Sequence, residues 1–567
     1  MNYEGKNCST MIEAPWKRHY TDNAPGSLKY PRLVIDEMLR STSQNYPKNL
    51  ALIFGGNRIT YQELDHLADR FASALFKLGV RKGDRVALLL PNCPQLVIAF
   101  YGIFRLGAVA VPANPMYQES EISYQLENAG VGTLIVLDFL FPRVSAVKDQ
   151  TTLKNIVITS IKDYLPPLKK MLYPLFQIKG DHKVRAGKGT GVFSFKDLIA
   201  GGSPHPPSVT ISPEDTAILQ YSGGTTGISK GAELTHSNIV SNTIQICGWY
   251  YVIRKGEEVI LSILPLFHTY GIAVCMNLSI ATGSCMVLIP RFVPKDVLRA
   301  IQDYRVTLFP GIPGIYAALN NYRNIKKWDI SSINYCVSGS APLPITVMEE
   351  FEKLTGGTIL EGYGLTEASP VTHSNPVHRE RKVGSIGLPL ADTDCKIVDI
   401  EDGEKEVPLG ETGELCIKGP QVMRGYWNMP SETALTLRDG WLYTGDIARI
   451  DKDGYFYIVD RKKDMIISEG FNIFPNEIDE TVLTHPKILD AAAVGVPDRL
   501  RGERIVLFVV LKEGEVARQE EIVGFCREHL ARYKVPKKVE FRKELPKTLV
   551  GKVLRRVLRE EAVRGGS

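Results

Sequence analysis

A large layered α/β body with a barrel-like β subregion, followed by a small α+β C-terminal domain, is the fold class this 567-residue sequence predicts. Three observations carry the prediction. Short apolar runs alternate with helix-length segments through the first two-thirds of the chain, the rhythm of largely parallel sheets packed under helices. From residue 394 to 418 the runs shorten and sit among turns, as in an antiparallel or barrel-like sheet. Past about residue 462 the pattern changes again, to two apolar strands and one amphipathic helix in a unit of roughly 100 residues.

Residues 85–90 read as a buried strand, because an unbroken Val-Ala-Leu-Leu-Leu run needs cover on both faces, and Pro91 ends it. A helix over 95–106 and a strand over 108–112 follow, and 133–137, 156–159, 259–264 and 285–289 supply further apolar strands. No Asp, Glu, Lys or Arg occurs from 259 to 290. Pro265, His268, Gly271, Asn277 and Gly283 nevertheless interrupt this stretch before an apolar run of membrane-spanning length forms, so it reads as buried strand, loop and helix. Residues 394–399 and 413–418 are the short strands of the barrel-like part. In the last unit 491–496 and 504–511 are strands, and 519–531 is a helix with Ile522, Val523, Phe525, Cys526 and Leu530 on one face.

Composition excludes several classes. With 44% hydrophobic and 23% charged residues the chain is neither disordered nor collagen-like nor a polytopic membrane protein. Nine cysteines without a C-x-x-C pair argue against a disulfide framework or a Cys-based zinc site, and fit a reducing, cytoplasmic setting. The N-terminal 31 residues carry no apolar h-region. A net charge of +5 is too small for a general nucleic-acid binder, yet residues 501–567 hold 17 Lys/Arg against 10 Asp/Glu. An anionic partner is therefore expected at that end. Residues 161–188 mix seven Lys/Arg with Leu, Met and aromatic side chains. Two readings stand: a surface insertion with solvated lysines, which is preferred, and peripheral contact with the inner face of an anionic membrane.

The stretch richest in chemistry is Tyr221-Ser-Gly-Gly-Thr-Thr-Gly-Ile-Ser-Lys-Gly231, set between an apolar strand and a helix. Glycines let backbone N–H groups approach an anion, and hydroxyls with Lys230 complete a phosphate cradle. It is not a Walker A loop, because Ser229 stands before Lys230 where that loop has Gly. The order does resemble the phosphate loop of the adenylate-forming superfamily (acyl-CoA synthetases, luciferases and peptide-synthetase adenylation domains). Gly223 replaces the usual Ser, as in fatty-acyl members, and Ser229 replaces the usual Pro. Further motifs follow in the family's order. Leu264-Pro-Leu-Phe-His-Thr-Tyr-Gly271 resembles the segment lining the acyl site, Ser338-Gly-Ser-Ala-Pro-Leu343 the adenine turn, and Glu361-Gly-Tyr-Gly-Leu-Thr-Glu367 the central signature. Asp439-Gly-Trp-Leu-Tyr-Thr-Gly-Asp446 resembles the ribose motif, Asp460-Arg-Lys-Lys-Asp464 the hinge, and Pro546-Lys-Thr-Leu-Val-Gly-Lys-Val-Leu-Arg-Arg556 the terminal lysine motif.

That resemblance, most specific for a long-chain fatty-acid–CoA ligase, implies roles residue by residue. Ser222, Gly223, Gly224, Thr225, Thr226, Gly227 and Lys230 would hold phosphates. Gly339, Ser340, Ala341, Glu361, Gly362 and Tyr363 would surround adenine, with Tyr363 stacking on it. Asp446 would accept from the ribose hydroxyls and Arg461 would contact the nucleotide. Thr366 would bond the α-phosphate, Glu367 would bind Mg²⁺, His268 would line the acyl site, and Lys552 would be the adenylation lysine. Lys462, Lys463 and Asp464 would form the hinge between a domain of residues 1–461 and a mobile lid of 462–567. ATP, a fatty acid and coenzyme A are the implied substrates, with no nucleic-acid partner, and a homodimer is compatible with the resemblance. Ligases for medium-chain or aromatic acids, and enzymes loading a separate carrier protein, share the nucleotide motifs and stay open as alternatives. A catalytically silent lipid-binding protein would be expected to have lost Lys552 or Glu367.

Overall fold

The computed structural model describes residues 14–176, 191–222, 229–377, 380–468, 471–498, 501–548 and 551–564. Residues 223–228, and 177–190 of the basic segment, lie outside the described residues.

Among the described residues the strands form four sheets. One is built on the parallel strands Arg85–Leu89, Val109–Pro112, Thr133–Leu137 and Asn155–Thr159, in which nearly every residue is buried. A second sheet has a parallel centre of Val259–Ser262, Cys285–Leu288, Leu308–Gly311, Tyr335–Ser338 and Thr358–Gly364. The charge-free stretch from 259 to 290 is thus two central strands and the helical turns between them, and no described helix is long and apolar enough to cross a membrane. The third sheet is antiparallel and joins Asp394–Val398, Gly413–Lys418, Trp441–Ile450 and Phe456–Arg461. This is the barrel-like subregion expected from the short runs.

One continuous apolar core serves these three sheets and ends at Phe456. Beyond Ile466 two separate small cores take over. They flank a mostly antiparallel sheet centred on Ile488–Asp498 and Gly502–Leu511, whose Gly502–Leu511 strand also pairs in parallel with Lys538–Arg542. Helices Pro475–Leu483 and Gln519–His529 cover one face, burying Ile478, Val482, Ile522 and Cys526, and Arg555–Arg564 covers the other through Leu558 and Ala562. The 519–531 helix thus buries the face its apolar spacing marked, and stops at His529. A large α/β body and a smaller C-terminal domain face each other across a cleft.

Candidate active site

The cleft encloses about 1390 Å³ and is lined from both sides. From the large body it takes the carboxyl-terminal ends of parallel strands, where a doubly covered sheet leaves backbone open to a ligand. Strand Tyr335–Ser338 delivers Gly339 and Ser340, with Ser340 in the left-handed region at φ 73°. Strand Thr358–Gly364 delivers Gly362 and Tyr363, and a 3-10 turn over Thr366–Ala368 presents Thr366 and Glu367. Tyr270 braces the floor by donating to the carbonyls of Val337 at 2.9 Å and Gly311 at 3.2 Å.

Asp446 and Arg461 stand opposite each other on paired antiparallel strands. The Tyr363 hydroxyl donates to Asp446 Oδ2 at 2.6 Å, and Arg461 Nε lies 3.5 Å from Oδ1. Burial and then Asp446 push the Tyr363 phenol well up, so it stays a donor. Burial opposes the charge on Arg461, but Asp446 and Asp464 outweigh it and keep the guanidinium protonated. Glu367 accepts from the Tyr426 hydroxyl at 2.8 Å on Oε1.

The small domain contributes Lys552 from a turn closed by Thr548 N–H donating to the Lys552 carbonyl at 2.8 Å and Lys552 N–H donating to Thr548 Oγ1 at 3.1 Å. Gly551 makes this turn at φ 78°, a conformation that suits glycine, against Ile312 of the large body. Burial, then Arg461, holds the Lys552 ammonium down at about 8 despite the opposing pull of Asp446 and Glu367. His268 is neutral: burial, helped by Lys552, lowers its pKa to about 4. Its Nδ1 accepts the Tyr270 N–H at 3.2 Å, which leaves Nε2 as the protonated nitrogen.

Of the residues singled out from sequence, the cleft gathers Lys230, His268, Gly339, Ser340, Gly362, Tyr363, Thr366, Glu367, Asp446, Arg461, Lys462, Lys463, Asp464 and Lys552. It does not gather Ala341 or Glu361 into its lining. The Glu361 carboxylate instead accepts the N–H groups of Gly384 at 3.0 Å and Leu343 at 3.4 Å, holding backbone behind the Gly339–Ser340 turn. Gly223, Gly224, Thr225, Thr226 and Gly227 lie outside the described residues, as does the Ser222 side chain.

Three participants escaped the sequence reading. Glu432 is bonded to Lys230, Tyr426 bonds Glu367 beneath the Lys230 ammonium, and Glu414 pairs with Lys462 at 2.8 Å. Only Tyr426 carried a local signal, as one of two adjacent aromatics in the turn after Arg424.

An apolar pocket adjoins the cleft. Tyr250, Val274 and Val337 line both, and Leu278, Leu308 and Phe309 extend the wall inward. Tyr250 is fixed there by a 2.8 Å hydrogen bond with Ser374 Oγ.

Comparison with known proteins shows the family and the fold. The family model "AMP-binding enzyme" matches residues 39–427, and "AMP-binding enzyme C-terminal domain" matches 477–552. The chain belongs to the AMP-binding enzyme family. Among members of that family it is 46% identical over 551 residues to a long-chain-fatty-acid–CoA ligase of Bacillus subtilis, covering 97% of this chain and 98% of that one. ATP-bound MatB from Rhodopseudomonas palustris superposes with a TM-score of 0.82 at 29% identity, over 94% of this chain and 100% of that one. The apo form of the same MatB superposes at 0.71, over 95% and 100% of the two chains, again at 29% identity. The arrangement here is thus closer to the nucleotide-bound form.

Proposed function

We propose that this chain is an AMP-forming long-chain fatty-acid–CoA ligase. The observation that carries the reading is the meeting of Lys552 with Arg461, Asp446 and Glu367 around one cleft that an apolar pocket adjoins. Tyr363 offers a face for adenine, with Gly339, Ser340 and Gly362 beside it, while Ala341 and Glu361 shape the turn from behind. Asp446, whose carboxylate oxygens accept hydrogen bonds, suits the two ribose hydroxyls, and Arg461 keeps it oriented. Thr366, Lys230 and the 222–227 loop are assigned to the phosphates.

Glu367 fits Mg²⁺. No cluster of three His, Cys, Asp or Glu gathers among the described residues, and one hard carboxylate suits a cation that takes its remaining ligands from water and phosphate. The chemistry Mg²⁺ supplies when bound there is neutralisation of phosphate charge.

In the first half-reaction a fatty-acid carboxylate oxygen attacks the α-phosphorus of ATP, the bond to the β-phosphate breaks, and pyrophosphate leaves. Two anions must approach each other, so the chain's contribution is positioning and positive charge: Arg461, Lys552 and the Thr366 hydroxyl. His268 is uncharged at neutral pH and supplies an Nε2–H donor, not a base. In the second half-reaction coenzyme A loses its thiol proton to solvent, its sulfur attacks the acyl carbonyl, and AMP leaves. The lid, residues 462–567, turns on Lys462–Asp464 against the body, residues 1–461, and withdraws Lys552. The closer match to ATP-bound MatB supports the orientation described here as the adenylating one.

The long-chain assignment rests on the Bacillus subtilis relative. ATP–pyrophosphate exchange measured across C2 to C18 and aromatic acids is expected to peak on long chains, and a peak on acetate or benzoate would overturn the substrate while sparing the mechanism.

Such a substrate partitions into bilayers, and residues 161–171 of the basic segment suit contact with the inner face of an anionic membrane. Helix Pro167–Phe176 exposes Leu168 and Met171, at 65% and 70% accessibility, beside Lys169. Replacing Lys162, Lys169, Lys170, Lys179, Lys183, Arg185 and Lys188 by Gln is expected to reduce co-sedimentation with anionic vesicles, most at low salt. Unchanged co-sedimentation would return the segment to an ordinary solvated surface.

A further inference from the structure

A chain of partly buried polar contacts ties the lid to the body, running from the last strand of the body to Arg555 at the edge of the cleft. Asp460 belongs to the body: it lies in strand Phe456–Arg461, paired with Ile447, and is 1% exposed. Its Oδ2 accepts the backbone N–H of Asn476 at 2.7 Å, in the first turn of the lid helix Pro475–Leu483. The helix start favours that carboxylate electrostatically. The Asn476 side chain works in both directions. Its Nδ2 donates back to the body at the Val459 carbonyl, 3.2 Å away, and its Oδ1 accepts from Arg555 Nη2 at 2.7 Å.

Arg555 is the first residue of the helix Arg555–Arg564 and stands three positions after Lys552. It also donates to the Ala493 carbonyl at 3.2 Å and pairs with Asp479, whose other oxygen takes the Ala493 N–H at 2.6 Å. Burial raises the Asp479 carboxyl to about 7, and Arg555 is the main influence holding it down. The segment carrying Lys552 is therefore fixed at its base through Arg555 and Asn476 to the last strand of the body. Two of the bonds, Asp460 to Asn476 and Asn476 to Val459, span the hinge residues 462–464.

We propose that Asp460, Asn476 and Arg555 form an orientation-specific latch that positions Lys552 in the cleft for adenylation and is released when the lid turns for thioesterification. The proposal rests on the assignment of Lys552 given above. None of the three is offered as touching the reacting atoms; they are positioning residues. Because the bonds across the hinge exist in the described orientation and would be broken by rotation about 462–464, loosening them disfavours one half-reaction and not the other. That asymmetry separates positioning from a general structural role, which would slow both.

The test measures both half-reactions in the full-length enzyme: ATP–pyrophosphate exchange with a long-chain acid, and acyl-CoA formation from synthetic acyl-adenylate. Asn476→Ala is expected to lower the exchange kcat by about tenfold or more, since small misplacements of a charged group cost that much. The KM for ATP should change little, and thioester formation should run at or above the wild-type rate. Asp460→Asn, which keeps the shape and one acceptor oxygen, is expected to shift the same way more weakly, and it decides alone if Asn476→Ala does not fold. Equal slowing of both half-reactions, or unchanged exchange, overturns the latch. Lys552→Ala run alongside tells the two failures apart. If it leaves exchange intact, the Lys552 assignment falls and the latch with it; if it loses exchange selectively while the latch variants do not, the latch falls alone.

Discussion

Lys552→Ala is expected to lower ATP–pyrophosphate exchange by about a hundredfold or more, the usual cost of losing one preorganised charge in a dry site. Thioester formation from preformed acyl-adenylate should stay near the wild-type rate. The reason is electrostatic. The ammonium stands among Arg461, Asp446 and Glu367, where the proposed reaction would bring the negative charge of the carboxylate and the α-phosphate. The same surroundings predict a pH signature. With its pKa held near 8, below the ordinary lysine value, the side chain is charged below that pH and loses its charge above it. The kcat/KM for ATP in exchange, which reports on the free enzyme, should therefore fall above about pH 8. The limb in kcat should lie higher, because bound ATP stabilises the ammonium. Lys552→Arg, whatever its residual rate, should lack the alkaline limb, since a guanidinium stays charged throughout. Equal loss of both half-reactions in Lys552→Ala would remove the assignment.

Glu367→Gln is expected to be of similar size, on the order of a hundredfold in exchange, with a raised Mg²⁺ requirement. Glutamine preserves the length of the side chain and an oxygen that still accepts the 2.8 Å bond from Tyr426. What it removes is the negative charge that a hard cation needs. Titrating Mg²⁺ at fixed ATP, above the amount ATP itself chelates, should show the half-saturation point moved upward in the variant. An unchanged Mg²⁺ dependence with full activity would show that the carboxylate holds no cation.

The parts of this molecule legible in its sequence were those with local causes. Residues 85–90 and 133–137 read as buried strands because uninterrupted branched and aliphatic runs need cover on both faces, and they formed within a residue of the expected ends. The cleft residues were legible mainly because their motifs resemble, in order, those of the adenylate-forming family. What the sequence hid were single charges whose partners lie far along the chain. Glu432 meets Lys230 across 202 positions and Glu414 meets Lys462 across 48, and no local pattern marks either carboxylate. The basic C-terminal end was also misleading in degree. Arg555, Arg559 and Lys547 are paired with Asp479, Glu503 and Asp490, so much of that positive charge is answered within the lid. The cations of that end left facing the cleft are fewer than the count implied, with Lys552 among them.

The central claim is that a carboxylate is activated as an adenylate before any thiol takes part. It is tested most directly by one enzyme-stoichiometric turnover with a long-chain acid, Mg²⁺ and ATP labelled at the α-phosphate, in the absence of coenzyme A. Acyl-adenylate bound to the enzyme, in a yield approaching the number of active sites, and an equal amount of pyrophosphate are expected. A chase with coenzyme A should then convert that label to AMP as acyl-CoA appears. Release of ADP and phosphate, or acyl-CoA formation with no adenylate that the chase can capture, would contradict it.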